Sequence, residues 1–454
     1  FTFYVNIDDL YPPLNKWHAL VHVCRRWRYL VFVSPRRLNL RLKYGGHRPM
    51  SEVLGAWPVL PIILIFRHPN LHQRWHNWVA ALESEHHNIN RICGIRLSNI
   101  TYLGLERFKV AMKKPFPEMT HLEISAKMYR HVEPVLPDSF LGGSAPRLRE
   151  LLLKGIAFPS MPKLLLSANG LVKLTLLDIP DSGYISPDAM ATALTMMTRL
   201  KNLDLQFRSP RSLPDPASRP LPPSTRFVLP ALTELRFRGV YEYLEDLLAR
   251  IDVPLLYHLH IIFFTDPNFD VPQLHRLIGN VEDFQEFDHA GVLILSNSIQ
   301  LTLYPKTEEV DHHTLLKLQI DCGELDRQLS SIAQVCSSPF PLTGISTLEE
   351  LEIRESEYVT SLLWKDDMDN AKWPDLLDSF TALKDLYLSH RVSHRVFHAL
   401  QELSGERAAE VLPALRNLFV RTQSLQPVRQ AIMPFLTARQ LSGRPVAIDH
   451  WRIL

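Results

Sequence analysis

Residues 229–237 read LPALTELRF, and the reading of that phrase decides the fold. Leu232, Leu235 and Phe237 are spaced by three residues and then by two. Successive side chains alternate across a pleated strand, so Leu235 and Phe237 point to one side while Glu234, Arg236 and Arg238 point to the other. A single phrase of this kind means little in a leucine-rich chain. Here it returns. Upstream it reads Ile92/Ile95/Leu97, Met119/Leu122/Ile124, Leu148/Leu151/Leu153, Leu171/Leu174/Leu176 and Leu200/Leu203/Leu205. Downstream it reads Leu256/Leu259/Ile261, Leu315/Leu318/Ile320, Leu348/Leu351/Ile353, Leu383/Leu386/Leu388 and Leu415/Leu418/Val420, with a weaker candidate around residues 292–295.

From Ile95 to Leu418 the steps average about 29 residues, at the upper end of leucine-rich units. Amphipathic stretches fill the intervals. Ser186-Pro187-Asp188 is a cap with a favoured first-turn proline, leading into 189–200. Helices are also expected over 241–251, 271–284, 324–336, 396–403 and 428–439, the last kinked or broken at Pro434. Strand, turn, helix and strand again predicts an α/β leucine-rich-repeat solenoid, a parallel sheet with helices and irregular repeats. One unit buries three or four large apolar side chains, worth ~1.5–3 kcal/mol each. Ordering its backbone costs ~1–2 kcal/mol per residue, so units hold only when stacked. An ordinary α/β domain rich in buried strands is the competing reading.

Three residues after the last leucine of a phrase, where many leucine-rich units carry Asn, this chain has Ile100, Ile156, Ile179 and Val240. An asparagine ladder is therefore not expected, and the turns should be irregular. Residues 36–43 alternate Leu38, Leu40 and Leu42 against Arg37, Asn39 and Arg41, a half-buried strand. Residues 209–226, SPRSLPDPASRPLPPSTR, hold six prolines in eighteen residues and few large apolar side chains, so a loop is expected there. A second loop is expected around Asp366-Asp367-Met368-Asp369.

The other distinctive run is NKWHALVHVCRRWRYLVFVSPRRLNLRL, residues 15–42. Pro12-Pro13 precedes it, Asn15 can cap a helix, and Ser34-Pro35 stops one. Between them Trp17, Leu20, Val21, Cys24, Trp27 and Val31 share a helical face, with Val23 and Leu30 widening it. The pattern would serve a first core helix. It also resembles the second half of an F-box, in the version found in a large fungal family of F-box proteins with leucine-rich repeats. The phrases VLPDSFLGGSAPRLRELLL (residues 135–153) and LPALTELRF resemble that family as well. The F-box would be truncated at its N-terminus, its L-P-x-E-[IL]-L helix represented only by a tail at residues 1–5. The expected organisation is a partial F-box over residues 1–37 and a repeat array over 38–454.

That resemblance implies a substrate receptor of an SCF-type, cullin-RING ubiquitin ligase, its F-box docked on the acidic adaptor and its repeat face holding an unknown target protein. Leu20, Val23 and Trp27 would meet the adaptor, with Trp17 and Cys24 facing the module's own interior. Target recognition is expected on strand positions alternating with the buried leucines: Arg236, Arg238, His258, His260, Glu350, Glu352, Tyr387 and Phe419, beside others such as Lys173 and Thr175. A leucine-rich interaction scaffold with no link to ubiquitin is the alternative.

Composition narrows the classes. The 454 residues are 46% hydrophobic and 22% charged, with a formal net charge of +2, which gives no global pull toward nucleic acid or membrane. Four dispersed cysteines, Cys24, Cys93, Cys322 and Cys336, suit a reducing compartment, so a cytoplasmic or nuclear place is expected. The apolar run 57–66 is short and holds Pro58 and Pro61, so no membrane span is expected, and no signal peptide is visible. Nothing pairs a nucleophile with a base and no phosphate-binding loop occurs, so a non-catalytic protein without cofactors is expected. His68/His72/His76 and His390/His394/His398 have helical spacing but lack a nearby carboxylate or cysteine, so no metal is assigned. Residues 25–43 carry seven basic side chains and no acid. Nucleic acid is the weakest of the partner readings, because aromatics are not interleaved on that face.

Overall fold

The computed structural model describes residues 22–33, 41–47, 49, 52, 60–66, 72–83, 89–127, 133–210, 226–264, 271–284, 287–304, 315–321, 325–337, 345–356, 372–402, 407–422 and 424–451. The chain divides into two units, Phe1–Ile185 with Met196–Leu200, and Ser186–Thr195 with Lys201–Leu454.

Among the described residues of the first unit six strands follow one another in chain order: β1 (Leu42–Tyr44), β2 (Ile62–Phe66), β3 (Ile92–Ile100), β4 (His121–Ala126), β5 (Glu150–Lys154) and β6 (Lys173–Ile179). Every neighbouring pair is parallel. Two apolar rows cross the strands, Leu64–Ile95–Leu122–Leu151–Leu174 and Phe66–Leu97–Ile124–Leu153–Leu176, and all ten side chains are buried. These are the rows that the repeated phrase prescribes. β2 was not anticipated: its run IILIF has no polar alternation, and the prolines before it read as a break.

A string of aromatic rings runs through this unit. Phe66 meets Trp75 edge-on at 4.9 Å, and Trp75 stacks on Trp78 at 5.5 Å. Trp78, Phe108, Phe140 and Phe158 continue it at centroid spacings of 5.9, 6.1 and 5.7 Å. Each of the last three rings comes from the connection after a different strand, so one repeat is tied to the next by an aromatic contact. Such contacts add ~0.5–1.5 kcal/mol beyond the area they bury.

The turn after these strands has its own device. Asn99, Gly155 and Asp178, each two residues beyond the last leucine of its phrase, have φ of 55°, 66° and 51°. That left-handed conformation is open to Gly and tolerated by Asn and Asp. It turns the next side chain inward, so Ile100, Ile156 and Ile179 are buried where an asparagine was missing. The turns are therefore organised by a backbone hinge and an apolar plug.

In the second unit the strands are β7 (Asn202–Phe207), β8 (Phe227–Val228), β9 (Glu234–Gly239), β10 (Ile251–Asp252), β11 (His258–Phe263), β12 (His289–Ile294), β13 (Ser298–Tyr304), β14 (Leu315–Asp321), β15 (Glu350–Glu355), β16 (Asp385–Leu388), β17 (Asn417–Val420) and β18 (Ala447–His450). β8 and β10 form a separate parallel pair. The main sheet runs β7-β9-β11-β14-β13-β12-β15-β16-β17-β18. It departs from chain order at one place. β12 and β13 are a hairpin, and β14 returns to lie between β13 and β11. β13 is antiparallel to both neighbours, while β11–β14 and β12–β15 are parallel, so one reversed strand sits inside an otherwise parallel sheet. The sequence shows why: residues 289–304 alternate on both sides of Leu295-Ser296-Asn297, with Ala290, Val292, Ile294, Ile299, Leu301 and Leu303 buried. This alternation corrects the expectation of a wholly parallel sheet.

The register also corrects one anchor. Leu316 and Leu318 pair with the buried Leu259 and Ile261, whereas Leu315 is half-exposed on the other face beside His258. Leu315 obeys the three-residue spacing but opens its strand directly. The expected helices are present with shifted ends: Pro187–Leu194, Tyr241–Leu248, Pro272–Asn280, Leu325–Ser337 and His390–Glu402. Ser186 Oγ accepts from Ala189 N at 3.2 Å, and Pro187 occupies the first turn. The last segment is two helices, Leu425–Ala431 and Met433–Leu441, with Pro434 in the first turn of the second. Most of the proline-rich run, 211–225, and the acidic loop around Asp366 lie outside the described residues.

Candidate partner-binding face

The alternation that buries Leu235 and Phe237 sends Glu234, Arg236 and Arg238 to the opposite side of the second unit's sheet. Across that side the register aligns Asp204, Arg236, His260 and Lys317 on β7, β9, β11 and β14. Strands lie ~4.8 Å apart, so three potential cations occupy a band ~10 Å wide. Among the described residues neither Arg236 nor Lys317 has a salt-bridge partner, and His260 Nε2 is enclosed without a hydrogen bond. Burial, followed by the charges of Lys317 and Arg236, pushes His260 down to about 4. Burial and then Arg236 lower Lys317, and His258 is lowered chiefly by burial. These directions describe like charges crowded on half-buried ground.

Arg238 is different. Its Nη2 lies 3.2 Å from Asp321 Oδ2, and its guanidinium stands 5.1 Å from the Phe264 ring centroid. Gln319 Nε2 donates to the other Asp321 oxygen at 2.9 Å and to Ser298 Oγ at 3.1 Å, fixing the carboxylate. Arg238 is thus a positioned member of the face whose charge is already met.

Beyond β14 the row crosses Thr302 and Gly291, which carry no charge, and reaches Glu352, Tyr387, Phe419 and Asp449. Tyr387 stacks on Phe419 at 4.6 Å with 11° between planes, and Trp451 meets Tyr387 edge-on at 5.8 Å. Glu352 lies 2.8 Å from Arg354, and Glu350 lies 3.0 Å from His289 Nδ1. Burial raises Glu352, and burial followed by Glu350, Asp385 and Glu352 raises Tyr387. All eight residues expected for target recognition therefore lie on one face of one unit. The face is polarised, cationic at β9–β14 and acidic with aromatics at β15–β18. Thr175, expected on an open face in the first unit, is buried. Trp451 and Lys317 belong to the second unit's face but were not singled out from sequence. Trp451 follows a strand with no leucine phrase, and Lys317 becomes significant only through its register with His260.

Of the other candidate residues, Trp27 lies on the helix Arg25–Val33 and Val23 in the turn before it. Val23, Trp27, Leu30 and Val33 are exposed, Trp27 to 38% and Leu30 to 46%. Cys24, expected to face inward, is exposed too, and its Sγ accepts from Trp27 N at 3.5 Å. Leu20 and Trp17 lie outside the described residues. A cleft of about 930 Å³ opens beyond β15, β16 and β17, lined by Arg354, Ser389, His394, Phe397, Arg421 and Val428 among others. His390 and His394 are in edge-on contact at 5.3 Å, but no group of His, Cys, Asp and Glu suited to a metal occurs among the described residues. No helix among them is long and apolar enough to cross a membrane.

No protein-family model matches the chain, and no curated protein matches it. Among solved structures it is similar to the leucine-rich repeat-containing protein LegL7 from Legionella pneumophila, at 13% identity over 89% of this chain and 98% of that one, with a TM-score of 0.26. Similarity at that level assigns no function.

Proposed function

We propose that the chain is a protein-recognition subunit that holds a target on the open sheet face of its second unit and joins the acidic adaptor of a cullin-RING ubiquitin ligase through the helix Arg25–Val33. The observation that carries target recognition is the single face on which Arg236 and Lys317, with no salt bridge among the described residues, lie either side of His260 and a few strands from stacked Tyr387 and Phe419. Aromatic and arginine side chains anchor protein interfaces, because they bring large contact area with few rotatable bonds. The adaptor link rests on the resemblance of residues 15–42 and on the exposure of Trp27 and Leu30 on a basic helix and of Val23 in the turn before it. In this reading the chain does no bond chemistry. It raises the effective concentration of target lysines near the loaded ubiquitin enzyme, in the cytoplasm or nucleus.

Purified adaptor and the whole chain test the link. Binding is expected with Trp27 present and a loss of at least tenfold with Trp27→Ala, at unchanged circular dichroism. Equal binding by the two would leave the scaffold reading, in which the same face acts without ubiquitin. A photo-crosslinking residue in place of Phe419 tests the face itself: adducts are expected there and not at Leu166, an exposed apolar position in the first unit.

A further inference from the structure

The Arg236–His260–Lys317 band differs from the other charged ground of the second unit's face in holding no salt bridge among the described residues, with Asp204 in register beside Arg236 at its edge. Arg238 has Asp321, Arg354 has Glu352, and His289 has Glu350. The carboxylates nearest the band are engaged or to one side. Asp204 accepts from Gln206 Nε2 at 2.9 Å, and Glu234 lies one pleat away in register with His258. Arg236 is exposed and Lys317 half-buried, on strands either side of His260, so their long side chains can converge above its ring.

We propose that Arg236 and Lys317, with His260 as the floor between them, form a site for one oxyanion carried by a peptide of the partner, a carboxylate or a phosphate. This rests on the reading of the face as a target-binding surface and names the chemistry of one subsite on it. An oxyanion placed there gains two charge-assisted hydrogen bonds and removes the repulsion between the two cations. The guanidinium offers a planar pair of donors and the ammonium a point charge, a combination that takes either carboxylate or phosphate.

The surroundings limit the occupant. The band is only three strands wide. Asp204 and Glu234 border it on one side, and beyond neutral Thr302 and Gly291 come Glu350, Glu352 and Asp385. A nucleic acid carries a charge every few ångströms along its length and would run into these carboxylates. A polypeptide can place one or two anionic side chains on the band and leave the rest uncharged. It can also lay an apolar or cationic side chain on Tyr387 and Phe419, some four strand spacings or ~19 Å from Lys317, which an extended segment of about six residues spans.

The test uses the whole chain and three fluorescent decapeptide libraries, identical except for glutamate, phosphoserine or glutamine at one fixed position. Binding is expected with glutamate or phosphoserine and at least tenfold weaker with glutamine, and the two anionic arms decide between carboxylate and phosphate. Arg236→Gln with Lys317→Gln is expected to abolish the preference. That double variant removes like charges, so its melting temperature should stay equal or rise, and lost binding cannot be lost folding. The His260 titration followed by NMR should move up from about 4 in the same variant and stay below the free value, because burial, the largest cause of its depression, is unchanged; that shift depends on the charges and not on any ligand. Equal binding of all three libraries, binding by none, or an anionic preference that survives in the double variant overturns the site. If crosslinking at Phe419 persists while the anionic preference fails, the subsite is wrong and the face reading stands. If both fail, the face reading is wrong.

Discussion

The two units display their strands in the same way and use the exposed sides differently. On the first, charges meet across neighbouring strands: Arg96 lies 2.6 Å from Glu123, Glu150 is in register with Lys173, and Lys154 lies 3.6 Å from Asp178. On the second, Arg236 and Lys317 flank His260 with no salt bridge among the described residues, Asp204 standing in register beside Arg236, and stacked, half-buried aromatics lie beside acids. The interiors differ as well. The first unit is threaded by a string of rings and closed by left-handed hinges, whereas the second has local ring clusters such as Phe207–Phe237–Tyr243. A self-satisfied surface over a strongly tied interior suits a support. An unsatisfied surface suits recognition.

The largest expected effect attacks the ring string. Phe140→Ala should destabilise by ~3–5 kcal/mol in chemical denaturation. Phe108→Ala combined with it should depart from additivity by ~0.5–1.5 kcal/mol, because their rings are in contact at 6.1 Å. Strict additivity would show that the string is only a row of separate burials. Next come the hinges. Asn99→Val and Asp178→Val should each cost ~1–2 kcal/mol for forcing a β-branched residue into left-handed backbone, whereas Asn99→Gly should be tolerated.

Acid should act on both units. His121 in the first and His260 in the second are each pushed down to about 4, mainly by burial, with Arg41, Arg149 and Arg96 adding to the effect at His121. Both are neutral in the fold near pH 6, and the unfolded chain binds protons more readily, from about 6.5 downward. Stability should therefore be full above pH 6.5 and fall as pH approaches 4. His121→Asn and His260→Asn should each flatten that slope in thermal melts. A slope unchanged by both would remove these histidines as its source.

The smallest effect separates the faces by sign. Arg96→Gln should lower stability by about 0.5 kcal/mol through loss of its pair with Glu123. Lys317→Gln should leave stability unchanged or raise it. A loss at Lys317 matching that at Arg96 would mean that the cationic band is held together by something other than an absent anion.

Much of the buried side was legible in the sequence, because a spacing of three and two repeated along the chain allows few other packings. Leu122, Leu151, Leu174, Leu235 and Leu386 are buried where the phrase puts them. The three-residue spacing puts Leu315 in the core, but the strand already begins at Leu315, so its alternation turns that side chain to the other face. β2 was hidden by its uniform apolarity. The hinges at Asn99 and Asp178 were invisible because φ is not written in residue type: the absent asparagine ladder pointed to irregular turns, and the sequence signal was the small polar residue just before each isoleucine. The eight candidate face residues were found by alternation alone. Their charge relations needed the register, since Arg236, His260 and Lys317 are far apart in sequence and adjacent only across β9, β11 and β14.

The reversed strand has a consequence for synthesis. In the first unit each strand leaves the ribosome after the neighbour it will lie against, so the sheet can grow vectorially. In the second, β11 presents an edge whose next occupant is β14, and some 50 residues separate the end of one from the start of the other. At about 5–20 residues per second that edge waits roughly 3–10 s, while β12 and β13 emerge and must be kept from its place. A hairpin that satisfies its own strands during that interval is a way of holding the position open.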